Sequence, residues 1–212
     1  MKNLLGSKEL QLGTGNSEPS KWLSDLDAPA VQARHFRLVI DYANSPTALV
    51  VPSLLDSLNC DVVALNAHLD ENRMAIPRAT LDDELGRLGK IVRAVEADLG
   101  ARFDVGGEKL FVCDNDGQLV PGDRVAAVMA DLEWQRAAGT TVAVPAFAPG
   151  LFEALAARRG GVILRTRADL EHLTRAAAGG GVRFAADTLG HLICPVFHPM
   201  SDGMFGLARL LD

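Results

Sequence analysis

The sequence has few cysteines, no long apolar run and no excess of basic residues. Its three cysteines, Cys60, Cys113 and Cys194, are far apart and form no CxxC pair, which favours reduced thiols over a disulfide framework. No apolar stretch approaches the about 20 residues that a membrane helix needs. With 21 Lys and Arg against 27 Asp and Glu, the net charge is −6, which argues against nucleic-acid binding. These absences predict a soluble, cytoplasmic protein that binds neither nucleic acid nor membranes.

The N-terminal segment also lacks the features of a targeting signal. Residues 1–13 contain Lys2, Lys8 and Glu9 among four leucines, which does not match the apolar core of a secretory signal peptide. Residues 1–20 are rich in Gly, Ser, Asn and Lys and show no sustained periodicity. We therefore expect residues 1–35 to form a flexible lead-in followed by a linker helix.

Apolar strands and amphipathic helices alternate from residue 36 onward. The segments FRLVIDYA (36–43) and DVVALNA (61–67) are apolar and rich in β-branched residues, as expected of strands buried on both faces. Apolar residues spaced by three and four predict a helix over 81–98, with Thr80 as its N-cap and Gly100 as its end. The segment KLFVCDNDGQLV is typical of a β-hairpin that turns at residues 115–117.

The same alternation restarts after Gly139. The segments TTVAVPAF, VILRTR and VRFAAD have the pattern of buried strands, and the helical segments PGLFEALAARR and ADLEHLTRAAA separate them. Two such runs predict an α/β protein with two small three-layer α/β/α domains, at residues 36–139 and 140–212. The near-continuous apolar strands predict mixed, mostly parallel sheets with antiparallel hairpins at their edges.

Candidate ligand-binding residues come from loops, because the chain has no nucleophile elbow, no Walker loop and no G-x-G-x-x-G sequence. We therefore assign no catalytic residue. In FDVGGEKL, Asp104 and Glu108 lie on either side of two glycines, a spacing at which both carboxylates can reach one hard cation. Lys109 is a candidate for a phosphate contact. The alternative interpretation is a glycine turn with solvated charges and a surface ion pair.

A second polar cluster occurs in FAADTLGH. Asp187, Thr188 and His191 are able to bind the hydroxyl groups of a small ligand. The alternative interpretation is a tight turn around Gly190 that connects two strands.

The order of these segments resembles the α-D-phosphohexomutase (phosphoglucomutase/phosphomannomutase) superfamily. RLVIDYA, DVVALNA, ADLGARFD, DNDGQLVPGD, TTVAVPAF and FAADTLGH are similar, over about residues 36–212, to that family's second and third domains in the same order. VIDYA, DVVALNA and FHP resemble most closely the phosphomutase-like C-terminal part of nucleotidyltransferase fusions of the mannose-1-phosphate guanylyltransferase type. The resemblance implies a phosphohexomutase-type fold and a sugar phosphate as ligand.

The resemblance also implies that both of the family's ligand loops are altered here. Residues 104–109 correspond to the family's metal loop, D-G-D-A-D-R, and Gly106 stands where the middle acid belongs. Residues 186–191 correspond to its sugar loop, G-E-x-S-G-H, where Asp187 replaces the glutamate and Leu189 the serine. Because one of three anionic ligands is lost, we expect weakened Mg²⁺ binding and no other cofactor. Losing the serine hydroxyl predicts weaker discrimination between sugars.

Three functions are consistent with this resemblance. The first is a degenerate phosphomutase-like module of a sugar-phosphate nucleotidyltransferase, with a regulatory, ligand-sensing or assembly role beside a nucleotidyltransferase domain or other missing domains. We expect the isolated chain to be inactive, because the family's phosphoserine and phosphate-gripping domains lie outside this similarity. The second is a fragment of an active phosphomannomutase or phosphoglucomutase that interconverts hexose 1- and 6-phosphates, with Mg²⁺ at Asp104 and Glu108. The third is a structural module that forms homo-oligomers.

Overall fold

The computed structural model describes residues 23–212 and contains two mixed sheets. The first sheet has the strand order β2-β1-β3-β4-β5, in which β1 is parallel to both β2 and β3, and the β3–β4 and β4–β5 pairs are antiparallel. Its strands are β1 (Arg37–Asp41), β2 (Asp61–Leu65), β3 (Leu99–Phe103), β4 (Leu110–Cys113) and β5 (Leu119–Val120).

The second sheet repeats this arrangement with four strands in the order β7-β6-β8-β9. Strand β6 is parallel to β7 and β8, and β9 is antiparallel to β8. Its strands are β6 (Thr141–Pro145), β7 (Val162–Thr166), β8 (Val182–Ala186) and β9 (Leu192–Ile193). In both sheets, therefore, antiparallel strands extend the central parallel strands at one edge.

Helices cover both faces of each sheet. The described helices are α1 (Ala28–Arg34), α2 (Thr47–Ser57), α3 (Glu71–Met74), α4 (Arg78–Ala94), α5 (Gly122–Arg136), α6 (Leu151–Arg159), α7 (Leu170–Ala178) and α8 (Gly203–Leu211). Across residues 23–212, no helix is both long enough and apolar enough to cross a bilayer. The fold is thus built from two α/β/α units with mixed sheets, which confirms the predicted fold class.

The two units share one hydrophobic core. Successive side chains of a strand point to opposite faces, so Leu38 and Ile40 of β1 join the central core, whereas Val39 packs with Leu88 and Val92 of α4. The central core also takes in buried residues of α2, α5, α6 and α8, together with the inner face of the second sheet. Helices α4 and α7 therefore form the two outer layers, and the remaining long helices lie between the sheets.

Two helices pack against the sheet on the other side of the predicted boundary at residue 139. Helix α5 precedes this boundary but packs on α6 and β8, and α8 follows it but packs on α2, β3 and β4 as well as β9. A buried ion pair joins these two helices, with Arg209 Nε 2.6 Å from Glu133 Oε1. The division at residue 139 stays a prediction.

The structure corrects both predicted ends of the long helix. Helix α4 begins at Arg78 directly after Pro77, so Thr80 lies inside its first turn and is not the N-cap. Gly100 does not end the helix but lies within β3, where a Cβ atom would lie 2.4 Å from Cγ2 of Val92. This glycine therefore lets the helix pack closely on the strand.

Other local predictions agree with the structure. The hairpin between β4 and β5 turns at Gly117, which has φ +74°, and helix α1 occupies Ala28–Arg34, inside the span of the predicted linker helix. Residues 1–22 of the predicted flexible lead-in lie outside the described residues.

Candidate functional site

The loop between β3 and β4, residues 104–109, is folded around the carboxylate of Asp104. Its Oδ1 atom accepts hydrogen bonds from the backbone N–H groups of Glu108 (2.8 Å) and Lys109 (3.0 Å), and its carbonyl accepts one from Gly107 (3.1 Å). Gly107 has φ +70°, a conformation that favours glycine. One oxygen of Asp104 is therefore occupied in holding its own loop.

The loop between β8 and β9, residues 187–191, is built in the same way. Oδ1 of Asp187 accepts hydrogen bonds from the backbone N–H groups of Leu189 (2.7 Å) and His191 (3.0 Å). Its Oδ2 atom lies 2.6 Å from Nδ1 of His191, and an ionised carboxylate can only accept, so Nδ1 carries the proton. Both side chains are nearly buried.

The charge of Asp187 is stabilised by this loop. Burial alone would raise the pKa of the carboxyl group, but hydrogen bonds from the His191 ring and the Leu189 N–H outweigh burial, and the pKa is lowered. The pair fixes the orientation of the imidazole ring and leaves Nε2 as its second polar atom. The Thr188 hydroxyl, at a half-buried position, makes no hydrogen bond to any residue in the described range 23–212.

Backbone contacts hold the two loops side by side. Lys109 and His191 form an isolated antiparallel β-bridge, and the Leu110 N–H donates to the carbonyl of Gly190 at 3.0 Å. Gly190 has φ +99°, and a Cβ atom there would lie 2.9 Å from the carbonyl oxygen of Leu110. The structure thus joins the predicted phosphate residue and the predicted sugar residues at the junction of the two sheets.

The start of helix α8 closes the first loop. The Ser201 hydroxyl donates to the carbonyl of Glu108 at 2.8 Å, and the Gly203 N–H donates to the carbonyl of Gly107 at 2.8 Å. Asp202 is the N-cap of α8, because its Oδ1 accepts from the Phe205 N–H at 2.9 Å. The loop therefore has little freedom to rearrange around a ligand.

The predicted metal residues do not form a complete Mg²⁺ site. Asp104 uses one oxygen for two backbone N–H groups, and Glu108 is exposed. Among residues 23–212, no group of three or more His, Cys, Asp or Glu side chains is arranged to hold a metal ion. Mg²⁺ is commonly bound by one or two carboxylates together with water and substrate phosphate, so Asp104 and Glu108 supply only part of such a site, with one acid fewer than the metal loop that the resemblance implies.

Lys109 remains available for an anion. Its side chain is half-buried and forms no ion pair with any of the residues from 23 to 212. It lines a cavity of about 220 Å³ together with Asp104, Val105 and Arg102. The ammonium group of Lys109 can therefore pair with the phosphate of an anionic ligand.

Sequence reasoning missed a buried ion pair near this site. Arg102, two positions before Asp104 in the chain, is only 4% exposed, and its Nη1 contacts the buried carboxylate of Asp41. A signal was present, since an arginine inside the apolar segment LGARF is unusual for a buried strand. Its partner lies 61 residues away, which no local pattern reveals.

Comparisons with known proteins agree with this architecture. Residues 20–117 match the family model described as phosphoglucomutase/phosphomannomutase, alpha/beta/alpha domain II. The phosphoglucosamine mutase of Desulfotalea psychrophila is 31% identical over 179 residues, which are 83% of this chain and 39% of that protein. The phosphoglucomutase/phosphomannomutase of Thermococcus kodakarensis is 27% identical, over 88% of this chain and 41% of that protein.

A solved structure shows the same fold. The phosphoglucomutase/phosphomannomutase family protein of Burkholderia thailandensis aligns with a TM-score of 0.77 at 22% identity, over 89% of this chain and 43% of that one. The chain thus spans about two fifths of the length of the relatives that it matches. Residues 20–117 match a phosphoglucomutase/phosphomannomutase domain II, and the comparisons support the resemblance of the chain to the α-D-phosphohexomutase superfamily.

Proposed function

We propose that this chain binds a hexose phosphate where its two sheets meet, as part of a phosphohexomutase-type protein. The observation that carries the proposal is the backbone bridge between Lys109 and His191, which holds the two candidate ligand loops together. In this arrangement the Lys109 ammonium binds the phosphate, and Thr188 and His191 bind sugar hydroxyls. Asp187 acts on the sugar indirectly, because it fixes the orientation of His191.

The class of ligand is supported by the relatives. Their names describe mutases of phosphoglucosamine, phosphoglucose and phosphomannose, so a phosphorylated hexose or hexosamine is the class to test. Phosphoryl transfer depends on positioning and on neutralising the phosphate charge. The described loops supply one ammonium group for that purpose, which suits binding better than transfer.

A second candidate is mutase activity in a longer protein, and the mutase names of the curated relatives favour it. It requires water and substrate phosphate as metal ligands beside Asp104 and Glu108, because these two carboxylates alone do not complete an Mg²⁺ site. The more specific kinship with nucleotidyltransferase fusions gains no support from the relatives described above and remains a hypothesis. The cytoplasmic location and a homo-oligomeric state likewise remain predictions.

Isothermal titration calorimetry tests the binding proposal. We would titrate the chain with glucosamine 6-phosphate, glucose 1-phosphate and mannose 1-phosphate, each with and without Mg²⁺. We expect at least one to bind with the same affinity in both conditions. Lys109→Ala is expected to weaken binding by about 10-fold or more, the range of a hydrogen bond to a charged group. The matched control is Lys90→Ala, since Lys90 is exposed on helix α4, away from the junction.

The outcomes separate the two candidates. Absence of heat with all three sugar phosphates rejects the binding proposal, and so does an equal loss of affinity in the Lys109 and Lys90 variants. Binding that requires Mg²⁺ and disappears in Glu108→Gln supports the mutase candidate instead, because it would show that the first loop does hold the ion.

A further inference from the structure

A second polar cavity lies at the carboxyl ends of β1, β2 and β3, separate from the junction of the two loops. Its volume is about 300 Å³, at the small end of ligand-binding pockets. Arg102 lines both this cavity and the 220 Å³ cavity beside Asp104 and Lys109. The carboxyl ends of parallel strands are where α/β folds bind ligands.

The guanidinium group of Arg102 makes one hydrogen bond and has further N–H groups without an acceptor. Nη1 contacts Oδ2 of Asp41, and Glu84 Oε2 lies 4.0 Å from Nη1. Nε is buried and has no hydrogen-bond partner among the residues that the structure describes. Buried N–H groups in proteins are nearly always hydrogen-bonded. Nη2 also has no hydrogen-bond partner among residues 23–212, but unlike Nε it retains accessible surface. An acceptor oxygen brought by a ligand would satisfy Nη2.

The position of Arg102 is fixed by a hydrogen-bonded partner. The other oxygen of Asp41, Oδ1, accepts from the Ala43 N–H (2.9 Å) and from Nδ2 of Asn66 (2.9 Å). Asp41 is 1% exposed. The arginine therefore cannot turn towards another acceptor without breaking a buried ion pair.

The rest of the cavity offers complementary polar groups. Asn44 and Asn66 line it and donate through Nδ2, Asn44 to His68 and Asn66 to Asp41. Their Oδ1 atoms accept no hydrogen bond from the described residues, so they can accept from ligand hydroxyls. Ala43, Asn44 and Asn66 also have left-handed backbone conformations, with φ between +49° and +54°. Such strained residues concentrate at ligand sites.

The charges around the cavity favour an anion. Arg102 is balanced by Asp41, and Glu84, which also lines the cavity, contacts Arg87. Arg73 lines the cavity, is exposed and forms no ion pair within residues 23–212. The Arg102–Asp41 and Arg87–Glu84 pairs are neutral, so Arg73 contributes one uncompensated positive charge.

We propose that this cavity binds a small hydroxylated oxyanion, a phosphate ester or a carboxylate. One anionic oxygen accepts a hydrogen bond from the Arg102 guanidinium group through Nη2, the charge is attracted by Arg73, and hydroxyl groups donate to Asn44 and Asn66. This site does not depend on Lys109, Thr188 or His191. Its existence is therefore independent of the function proposed above.

NMR spectroscopy of the arginine side chain tests this site directly. The ¹⁵N-labelled chain would be titrated with glycerol 3-phosphate and, separately, with D-glycerate, while the Nε–Hε resonance of Arg102 is followed. We expect a saturable shift with one of them, which identifies phosphate or carboxylate as the preferred group. Arg73→Gln is expected to weaken binding by about 2- to 5-fold, the range of an exposed charge contact. The control is Arg175→Gln, whose side chain is 71% exposed on helix α7.

Two further variants make the test decisive. Arg102→Lys keeps a charge opposite Asp41 but removes the planar guanidinium group, and it should abolish saturable binding, followed in this variant through the side-chain amides of Asn44 and Asn66. If the variant does not fold, the Arg73 and Arg175 comparison decides. Lys109→Ala should leave the Arg102 titration unchanged. The proposal is overturned if neither anion shifts Arg102 Nε–H, if Arg73→Gln and Arg175→Gln behave alike, or if Lys109→Ala removes the effect.

Discussion

Gly203 and Lys109 lie so close that no side chain fits between their backbones. A Cβ atom at Gly203 would lie 2.6 Å from the carbonyl oxygen of Lys109 and 3.1 Å from that of Gly107. The N-terminus of helix α8 therefore rests directly on the first candidate loop. Through this contact, the last described helix of the chain fixes the backbone that presents Lys109 to a ligand.

We predict that Gly203→Ala destabilises the protein by about 1–3 kcal/mol, because backbone atoms must move to admit the methyl group. The control is Gly86→Ala, in the interior of α4, where a Cβ atom meets nothing within 4 Å. This control should instead stabilise the protein by about 0.5–1 kcal/mol, because alanine favours a helix interior more than glycine does. Urea denaturation measures both values, and amide exchange of residues 104–109 should quicken only in Gly203→Ala. Equal stability changes in the two variants would contradict the close contact.

The buried carboxylate of Glu133 should be among the most sensitive positions of the fold. It accepts from Arg209 Nε at 2.6 Å and from Arg183 Nε at 3.0 Å, and it is 2% exposed. Glu133→Ala leaves Arg209 buried without this partner, so we expect a loss of about 3–5 kcal/mol. Glu171→Ala, which removes an exposed pair with Arg175, should cost less than about 1 kcal/mol.

Urea denaturation of both variants measures this difference. If Glu133→Ala is too unstable to purify, Glu133→Gln retains the shape of the side chain and should show a smaller loss. If Glu133→Ala lowers the free energy of unfolding by no more than Glu171→Ala does, the ion pair between Glu133 and Arg209 does not hold α5 to α8.

Local sequence patterns predicted the elements but not the contacts between them. The strands around residues 36–43 and the hairpin at Gly117 follow from apolar periodicity and turn chemistry. Gly100 misled the helix prediction because a glycine that ends a helix and one that admits a close-packed helix look alike in sequence. Pairing of Lys109 with His191 joins segments distant in the chain, and no periodicity encodes it.

For the candidate site too, the sequence predicted the loops but not the contacts within them. Residue types and spacing identified both loops, since carboxylates near glycines mark possible ligand positions. That Asp104 and Asp187 each hold their own loop through two backbone N–H groups could not be predicted. Such bonds depend on the loop conformation, which the sequence does not state.

The three cysteines should differ in their reactivity towards alkylating reagents. Burial raises the pKa of Cys60 and Cys113 to about 11 and that of Cys194 to about 12, and only the thiolate reacts. Cys60 is half-buried, whereas the other two are buried. We therefore expect slow alkylation of Cys60 by iodoacetamide at pH 8, no alkylation of Cys113 or Cys194 in the folded protein, and alkylation of all three in urea.

Peptide mass spectrometry after timed quenching measures these rates. In Cys60→Ser, the folded protein should take up no label before it unfolds. Labelling of Cys113 or Cys194 as fast as Cys60 would show that the core around α8 or β4 opens more readily than the packing implies.

The hydrogen-bonded carboxylate of Asp187 should make stability depend on acid pH. Because the pKa of this carboxyl group is lowered in the folded protein, its contribution is fully present above the unfolded pKa of about 3.9. It is lost as the pH falls through the folded pKa. The destabilisation caused by Asp187→Asn should therefore be larger at pH 7 than at the lowest pH at which the protein stays folded.

Urea denaturation of the wild-type chain and the variant across this pH range measures the effect. The matched control is Asp83→Asn, on the exposed face of α4, which should change the free energy of unfolding by less than about 0.5 kcal/mol. A cost for Asp187→Asn that stays constant from pH 7 into acid would mean that the carboxylate charge does not hold the second loop. The orientation of His191 would then have to come from the backbone bridge to Lys109 alone.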